Sequence, residues 1–175
     1  PLKFWNDKND NKFKDAYFNR FPNIWHHGDF AEIKKTRGIV IHGRSDTTLN
    51  PGGVRLGTAE IYSEVEKFKE IKESIVVGQS WDNDVRVVLF IVMNGKFTLT
   101  KDLLKKIKIQ IRKNASPRHI PSKVIVVTDI PRTKSGKIVE LAVKNTIEGN
   151  NIKNKEALAN PKALEQFKNL KELNI

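Results

Sequence analysis

The chain of 175 residues contains no cysteine, so it can form neither a disulfide framework nor a thiolate metal site. This composition fits a reducing compartment, and the cytoplasm is therefore the expected location. The longest apolar stretch, Val85–Met93, is far too short to cross a bilayer, which predicts that the chain has no membrane span. Pro1 is followed by neither a basic start with an apolar run nor a cleavage signal, and this predicts a fragment or a processed product.

Acidic residues are also scarce, because 20 Asp and Glu face 32 Lys and Arg and leave a net charge of +12. Eleven basic residues and two acidic ones lie between Lys101 and Lys137, so the excess is concentrated there. Such a patch fits a polyanion, either nucleic acid or a phosphorylated cofactor, unless it is only a solvated lysine-rich face. The window contains no aromatic residue, whereas a nucleic-acid-binding surface would interleave aromatic and basic side chains.

The periodic patterns between residues 46 and 148 predict a compact α+β domain with a three-stranded sheet and flanking helices. The predicted strands are Ser74–Gln79 paired antiparallel with Arg86–Met93, and Lys123–Thr128. The predicted helices are one capped by Thr58 and ending near Lys69, one capped by Thr100 with a buried stripe at Leu103, Leu104, Ile107 and Ile111, and Ile138–Ile147 with Leu141 and Ala142 inward.

The two ends differ from this domain. Residues 1–36 contain aromatic side chains that would need a hydrophobic partner surface, and Arg37–Arg44 is predicted to be a strand. Residues 149–175 open on a Gly-Asn-Asn break, after which Asn160 and Pro161 predict the start of a short helix. The aromatic residues in question are Trp5, Phe13, Tyr17, Phe18, Phe21 and Trp25.

Three short motifs carry the chemistry. The first is H-G-D at 27–29, and the second is G-R-S-D-T-T-L-N-P-G-G-V-R-L-G-T-A-E-I-Y at 43–62. The third, P-R-T-K-S-G-K at 131–137, is not a Walker phosphate loop, because that motif needs Gly where Pro131 stands and Ser or Thr where Ile138 stands. It is instead a glycine loop that presents Lys137 before a helix, which suits the stabilisation of negative charge in a transition state.

In this order and spacing the motifs resemble those of the adenylate-forming acyl-CoA synthetases, over residues 27–140. The tail N-K-E-A-L-A-N-P-K-A-L-E-Q-F-K-N-L at 154–170 resembles the end of the acetoacetate-activating branch. The resemblance implies that residues 1–45 are the end of a large N-terminal adenylation domain. Residues 46–148 would be the mobile C-terminal domain, and residues 149–175 a helical extension of it.

The resemblance also implies roles for residues that match the nucleotide end of the family's site. Asp29 would bind the ribose hydroxyls of ATP, and Arg44 would contact the same nucleotide. Arg55 would lie near the phosphates, and Asp46 would be the hinge of the small domain. Lys137 would polarise the substrate carboxylate and the α-phosphate during adenylate formation.

For coenzyme A, the resemblance implies that Gly52 and Gly53 let pantetheine pass close to the backbone, and that Arg112 meets the 3′-phosphate. The use of ATP implies Mg²⁺ held by its phosphates, with no ligand from this chain. The histidines His26, His27, His42 and His119 are scattered, so aromatic-edge packing rather than a metal site is expected of them.

The implied reaction has two steps: acetoacetate attacks ATP to give an acyl-adenylate and pyrophosphate, and the thiol of coenzyme A then displaces AMP. The small domain would rotate between the steps. The phosphate loop and acyl pocket of the family have no counterpart in these residues, so the chain alone is predicted to be inactive without its adenylation-domain partner. A ligase for acetate or propionate, a basic nucleic-acid-binding module and a truncated product without function are the alternatives.

Overall fold

The computed structural model describes residues 2–152 and 154–174. The α-helices are α1 (Asn11–Tyr17), α2 (Thr58–Val65), α3 (Lys101–Asn114) and α4 (Glu140–Ile147). The strands are β1 (Asp29–Ile33), β2 (Ile39–Arg44), β3 (Ile71–Trp81), β4 (Asp84–Met93) and β5 (Lys123–Val126). Short 3-10 helices cover Lys8–Asp10, Pro51–Gly53, Pro117–His119, Lys155–Ala157, Pro161–Phe167 and Lys171–Leu173.

The main sheet has the order β3-β4-β5, which confirms the predicted three-stranded sheet. β3 and β4 are antiparallel, and β5 lies parallel to β4. The hairpin turn is shorter than predicted, because the strands continue to Trp81 and from Asp84. Its two residues, Asp82 and Asn83, have φ angles of 49° and 57°, the left-handed backbone that a tight type I′ hairpin requires.

Each face of this sheet carries its own hydrophobic core, since the side chains of β4 alternate between the two faces. Val88, Phe90 and Val92 point to one face, which is covered by α4 and the last residues of the chain. Val87, Leu89 and Ile91 point to the other, which is covered by α2 and α3. The α+β prediction is confirmed, with the sheet between two helical layers.

Helix α3 begins as predicted. The Thr100 hydroxyl accepts a hydrogen bond from the Leu103 amide at 3.1 Å, so the side chain caps the first turn. Leu103, Ile107 and Ile111 are buried, whereas Leu104 is only half-buried. The stripe that anchors α3 to the sheet is therefore narrower than predicted.

The predicted start of α2 is wrong, because Thr58 is the first helical residue and Gly57 precedes it as the cap position. A Cβ on Gly57 would lie 2.3 Å from the His42 carbonyl oxygen, so β2 passes too close for any other side chain. Thr58 is only 3% exposed. α2 also ends at Val65 rather than near Lys69, since a turn and then β3 follow.

Helix α4 buries Ala142 as predicted, but not Leu141. Leu141 is 43% exposed, whereas Ala142, Val143 and Thr146 are buried. The prediction for Leu141 is wrong because Val143 occupies the core and fixes the rotation of the helix. The predicted helix at Asn160 and Pro161 is a 3-10 helix, and Phe167 at its end is buried edge-on against Phe90, with ring centroids 4.9 Å apart.

Four of the six aromatic residues singled out near the start of the chain, Phe13, Tyr17, Phe18 and Trp25, pack on one another. Tyr17 stacks on Trp25 with ring centroids 4.1 Å apart, and Phe13 lies 5.4 Å from Tyr17. Trp5 is 97% exposed, and Ile39 on β2 is 66% exposed. No helix among the described residues is long and apolar enough to span a bilayer.

Candidate functional site

Asp29, Arg44 and Asp46 lie together at the end of the β1–β2 hairpin. The register pairs Asp29 with Arg44, which places both side chains at the same end of the ladder. The Arg44 guanidinium donates to Asp29 at 3.5 Å and to Asp46 at 3.3 Å. The side chain of Arg44 is 51% exposed, and exposed ion pairs contribute at most about 1 kcal/mol. The cluster therefore contributes little to the stability of the fold.

Gly28 allows this cluster to form. Its φ of +90° disfavours other residues, and an added Cβ would lie 2.6 Å from the Arg44 guanidinium. The same guanidinium donates to the His27 carbonyl oxygen at 3.2 Å, while the His27 ring lies 2.7 Å from the Asp29 carboxylate. The H-G-D motif thus supplies a carboxylate, a histidine and a close backbone approach to Arg44.

Arg55 lies beside the strand that carries Asp29, but it belongs to a different contact. Its guanidinium carbon is 5.7 Å from the centre of the Phe30 ring, a cation–π geometry. Phe30 also packs against the His42 ring at 5.2 Å. The side chain of Arg55 is exposed, so its charged end is open to solvent next to the Asp29 cluster.

Gly52 and Gly53 form a tight loop in the 3-10 helix Pro51–Gly53, with φ angles of 58° and 74°. The amide of Gly52 donates to both carboxylate oxygens of Asp84 at 2.9 Å, which fixes the loop to β4. A Cβ on Gly53 would meet nothing within 4 Å, so the outer side of the loop is open. The arrangement leaves room for a chain to pass along the backbone.

Arg112 lies on the exposed side of α3, beside a depression of about 420 Å³ lined by basic and apolar side chains. Lys105 and Lys108 line it with Arg112, and Ile120 forms one wall. Ile120 also lines a second depression of about 400 Å³, which extends to Pro51 at the start of the glycine loop. The structure therefore brings Arg112 and the Gly52–Gly53 loop onto neighbouring parts of one surface.

Lys137 lies in a closed loop before α4, as predicted, but α4 begins at Glu140 rather than at Ile138, because Ile138 pairs back with Arg132 in an antiparallel bridge. The Thr133 amide donates to the Lys137 carbonyl oxygen at 2.8 Å, and the Lys137 amide donates to the Thr133 hydroxyl at 3.1 Å. Arg132 donates to the Gly136 carbonyl oxygen at 3.0 Å and to Glu73 on β3 at 2.9 Å. The Lys137 side chain is exposed, and among the described ion pairs none involves it.

Two partly buried polar contacts near these loops gave no signal in the sequence. The Tyr62 hydroxyl donates to Glu140 at 2.5 Å and accepts from the Val76 amide at 3.1 Å, which ties α2 and β3 to the start of α4. Burial raises the pKa of Tyr62 well above its ordinary value, and the Glu140 carboxylate raises it further. Tyr62 and Glu140 are 78 residues apart, so no local pattern could have paired them.

The other contact joins three histidine and carboxylate side chains. Glu60 lies 3.2 Å from His42 on β2 and 2.5 Å from His119, which is buried. Packing alone was expected of these histidines, and their contacts with Glu60 were missed. Within the residues that the structure describes, there is no group of three or more His, Cys, Asp or Glu side chains placed to hold a metal ion.

A family model described as the AMP-binding enzyme C-terminal domain matches residues 60–137. The acetoacetyl-coenzyme A synthetase of Rhizobium meliloti (strain 1021) is 60% identical to this chain over 173 residues, which cover 99% of this chain and 27% of that protein. The acetoacetyl-CoA synthetase of Xenopus tropicalis is 49% identical over 175 residues, 99% of this chain and 26% of that protein. The chain thus spans about a quarter of the length of these relatives.

Solved structures of CoA ligases also superimpose on this chain. The acetoacetyl-CoA synthetase from Streptomyces lividans superimposes with a TM-score of 0.88 at 39% identity, covering 95% of this chain and 25% of that one. An anthranilate CoA ligase in complex with anthranoyl-AMP superimposes with a TM-score of 0.67 at 22% identity, covering 78% of this chain and 26% of that one. The second match concerns the fold alone.

Proposed function

We propose that this chain, of which residues 60–137 match the AMP-binding enzyme C-terminal domain, works within an ATP-dependent acid–CoA ligase that activates acetoacetate. The reaction would form acetoacetyl-adenylate and pyrophosphate, and then acetoacetyl-CoA and AMP. The observation that carries the proposal is the 60% identity to an acetoacetyl-coenzyme A synthetase over 99% of this chain. The fold and the placement of the motif residues support it.

In the first half-reaction Lys137 would stabilise charge on the carboxylate and the α-phosphate. Its exposed side chain, its lack of an ion pair among the described residues and its closed loop fit a donor held ready for an anion. Asp29 would accept from the ribose hydroxyls, with Arg44 and Arg55 on the same nucleotide. Mg²⁺ would be held by the phosphates of ATP, with no ligand from this chain.

In the second half-reaction coenzyme A would lie along the surface that connects the glycine loop with α3. The open side of Gly53 suits the passage of pantetheine, because no side chain occupies that space. Arg112, with Lys105 and Lys108 beside it, suits the 3′-phosphate. None of the described hydrogen bonds or ion pairs joins Lys137 to this surface, which fits two faces used in turn.

Asp46 would be the hinge between these uses, with residues 46–148 turning as one body and residues 149–175 as their extension. In the orientation observed, Arg44 bonds to Asp46 across the proposed hinge. Residues 1–45 would remain with the adenylation domain, which is the expected partner. Cytoplasmic location stays a prediction.

The other-acid ligase and the nucleic-acid-binding module gain no support. A ligase for acetate or propionate would share the fold. However, the proteins reported above that match nearly the whole chain are named acetoacetyl-CoA synthetases. The basic window Lys101–Lys137 places its charges beside apolar side chains of α3 without aromatic residues for stacking on bases.

The test is to join residues 1–175 to the adenylation domain of the Rhizobium meliloti relative and to measure AMP release with acetoacetate, acetate and propionate. We expect AMP release that requires both acetoacetate and coenzyme A, and no release from residues 1–175 alone. A folded fusion that releases no AMP, or a 175-residue chain that turns over by itself, would contradict the proposal. Binding to an oligonucleotide with steep salt dependence, without binding to coenzyme A, would favour the nucleic-acid alternative.

A further inference from the structure

Residues 157–159 pair with the loop that carries Lys137, although they lie beyond the matched residues 60–137. The Ala159 amide donates to the Arg132 carbonyl oxygen at 2.8 Å, and the Lys134 amide donates to the Ala157 carbonyl oxygen at 3.0 Å. An antiparallel bridge joins Thr133 to Leu158 between them. Residues 157–160 therefore form a short extended strap along one side of the loop.

Asn160 ends this strap with a side chain that bonds only to the segment leading into the loop. Its carbonyl oxygen accepts from the Arg132 amide at 2.8 Å. Its amide nitrogen donates to the Asp129 carboxylate at 2.7 Å and to the Ile130 carbonyl oxygen at 3.0 Å. Although Asn160 precedes the 3-10 helix Pro161–Phe167, its side chain forms no capping hydrogen bond there. The polar atoms of the side chain bond to residues 129–132 instead.

The strap itself is firmly anchored. Leu158 is 6% exposed, and Leu164 and Phe167 just after it are buried in the core between α4 and the sheet. The opposite side of the loop is held by Arg132, which bonds to Gly136 and to Glu73 on β3. The exposed Lys137 side chain has no partner among the described ion pairs, so the direction in which it points depends on the backbone that these two sides fix.

We propose that residues 157–160 position the Lys137 loop for adenylate formation, and that Asn160 is a positioning residue of the first half-reaction. This rests on the proposed function, because it assigns the strap to the lysine used in that step. Misplacing a group by about 1 Å can cost about 10²-fold in rate, so loosening the entry to the loop affects chemistry well before it unfolds the domain. The glycine loop at Gly52 and Gly53 is held by Asp84 instead, so the second half-reaction does not depend on the strap.

The test uses Asn160→Ala in the fusion with the adenylation domain, and it separates the half-reactions. We expect pyrophosphate exchange with acetoacetate to fall on the order of 10-fold to 10²-fold, while transfer from preformed acetoacetyl-adenylate to coenzyme A is unchanged. An equal fall in both half-reactions, or no fall in either, would overturn the proposal.

Gln166→Ala is the matched control for stability. The Gln166 side chain bonds to the backbone at Thr128 and Asp129, just before the Lys137 loop. None of its described hydrogen bonds reaches the loop itself. We expect it to destabilise the chain as Asn160→Ala does and to leave pyrophosphate exchange intact. If both variants reduce exchange equally, the role of Asn160 is merely structural and the proposal fails.

Hydrogen exchange in residues 1–175 tests the strap apart from the catalytic proposal. We expect the amides of Arg132 and Lys134 to exchange faster in Asn160→Ala than in the parent chain, and to be unchanged in Gln166→Ala. Unchanged protection in Asn160→Ala would overturn the strap whatever the enzyme does. A parent fusion without pyrophosphate exchange would instead contradict the proposed function and leave the exchange result standing.

Discussion

Replacing Phe167 by alanine tests whether the last residues belong to the core of the domain. Phe167 is 0% exposed, and its ring lies edge-on to Phe90 at 4.9 Å. Removing a buried phenylalanine costs about 3–5 kcal/mol, and the lost ring pair, about 0.5–1.5 kcal/mol, favours the upper half of that range. We therefore expect the free energy of unfolding to fall by about 4 kcal/mol.

The assay is urea unfolding of residues 1–175 followed by circular dichroism, with Phe97→Ala as the control. Phe97 is 46% exposed, so we expect its loss to change the free energy of unfolding by about 0.5 kcal/mol or less. In thermal unfolding, Phe167→Ala should lower Tm by roughly 8–16 °C, since each kcal/mol shifts Tm by about 2–4 °C at this size. A loss below about 1 kcal/mol would refute the packing of the last residues into the core.

Two further substitutions test contacts that hold the site. Tyr62→Phe removes the hydroxyl between Glu140 and the Val76 amide and should cost about 1–3 kcal/mol in urea unfolding. Because the pKa of Tyr62 is raised in the folded chain, this hydroxyl ionises in the unfolded chain first. The parent chain should therefore lose stability as pH rises above about 10, and Tyr62→Phe should lose less. Equal dependence of the free energy of unfolding on pH in the two chains would contradict this. Gly57→Ala places a Cβ 2.3 Å from the His42 carbonyl oxygen and should lower the free energy of unfolding by about 1–3 kcal/mol. Gly38→Ala is the control, because its Cβ would meet only Thr36 at 3.7 Å and should not lower it. Equal losses would refute the close approach of β2 to α2.

Elements with local signals were predictable. The hairpin of β3 and β4 follows from two runs of β-branched residues around a polar turn, and α3 follows from the Thr100 cap and an apolar stripe. Thr58 looked like an equally good cap. Its role was decided instead by the backbone of His42, which reaches Gly57 from another part of the chain.

Elements fixed by distant partners were not predictable. The face of α4 depends on which residue fills the core, and Val143 rather than Leu141 does so. Asn160 beside Pro161 gave a local capping signal, but its partners lie 28 to 31 residues away in the chain. Local patterns carry no information about such partners, so the strap was visible only in the structure.

The candidate site shows the same division. The motifs singled out Asp29, Arg44 and Asp46 from sequence order, and the β1–β2 register explains why they lie together. The contact of Glu60 with His42 and His119 was missed, because three elements of the chain supply its members. Residue type identified the charged groups, but only the fold could pair them.

The central claim is that Lys137 serves adenylate formation, and the most direct measurement is pyrophosphate exchange with acetoacetate in the fusion carrying Lys137→Ala. Lys134→Ala is the matched control, since Lys134 is an exposed lysine of the same loop. We expect Lys137→Ala to lower the exchange rate by about 10²-fold to 10³-fold and Lys134→Ala to retain it. A folded Lys137→Ala fusion that exchanges as fast as the parent would contradict the account.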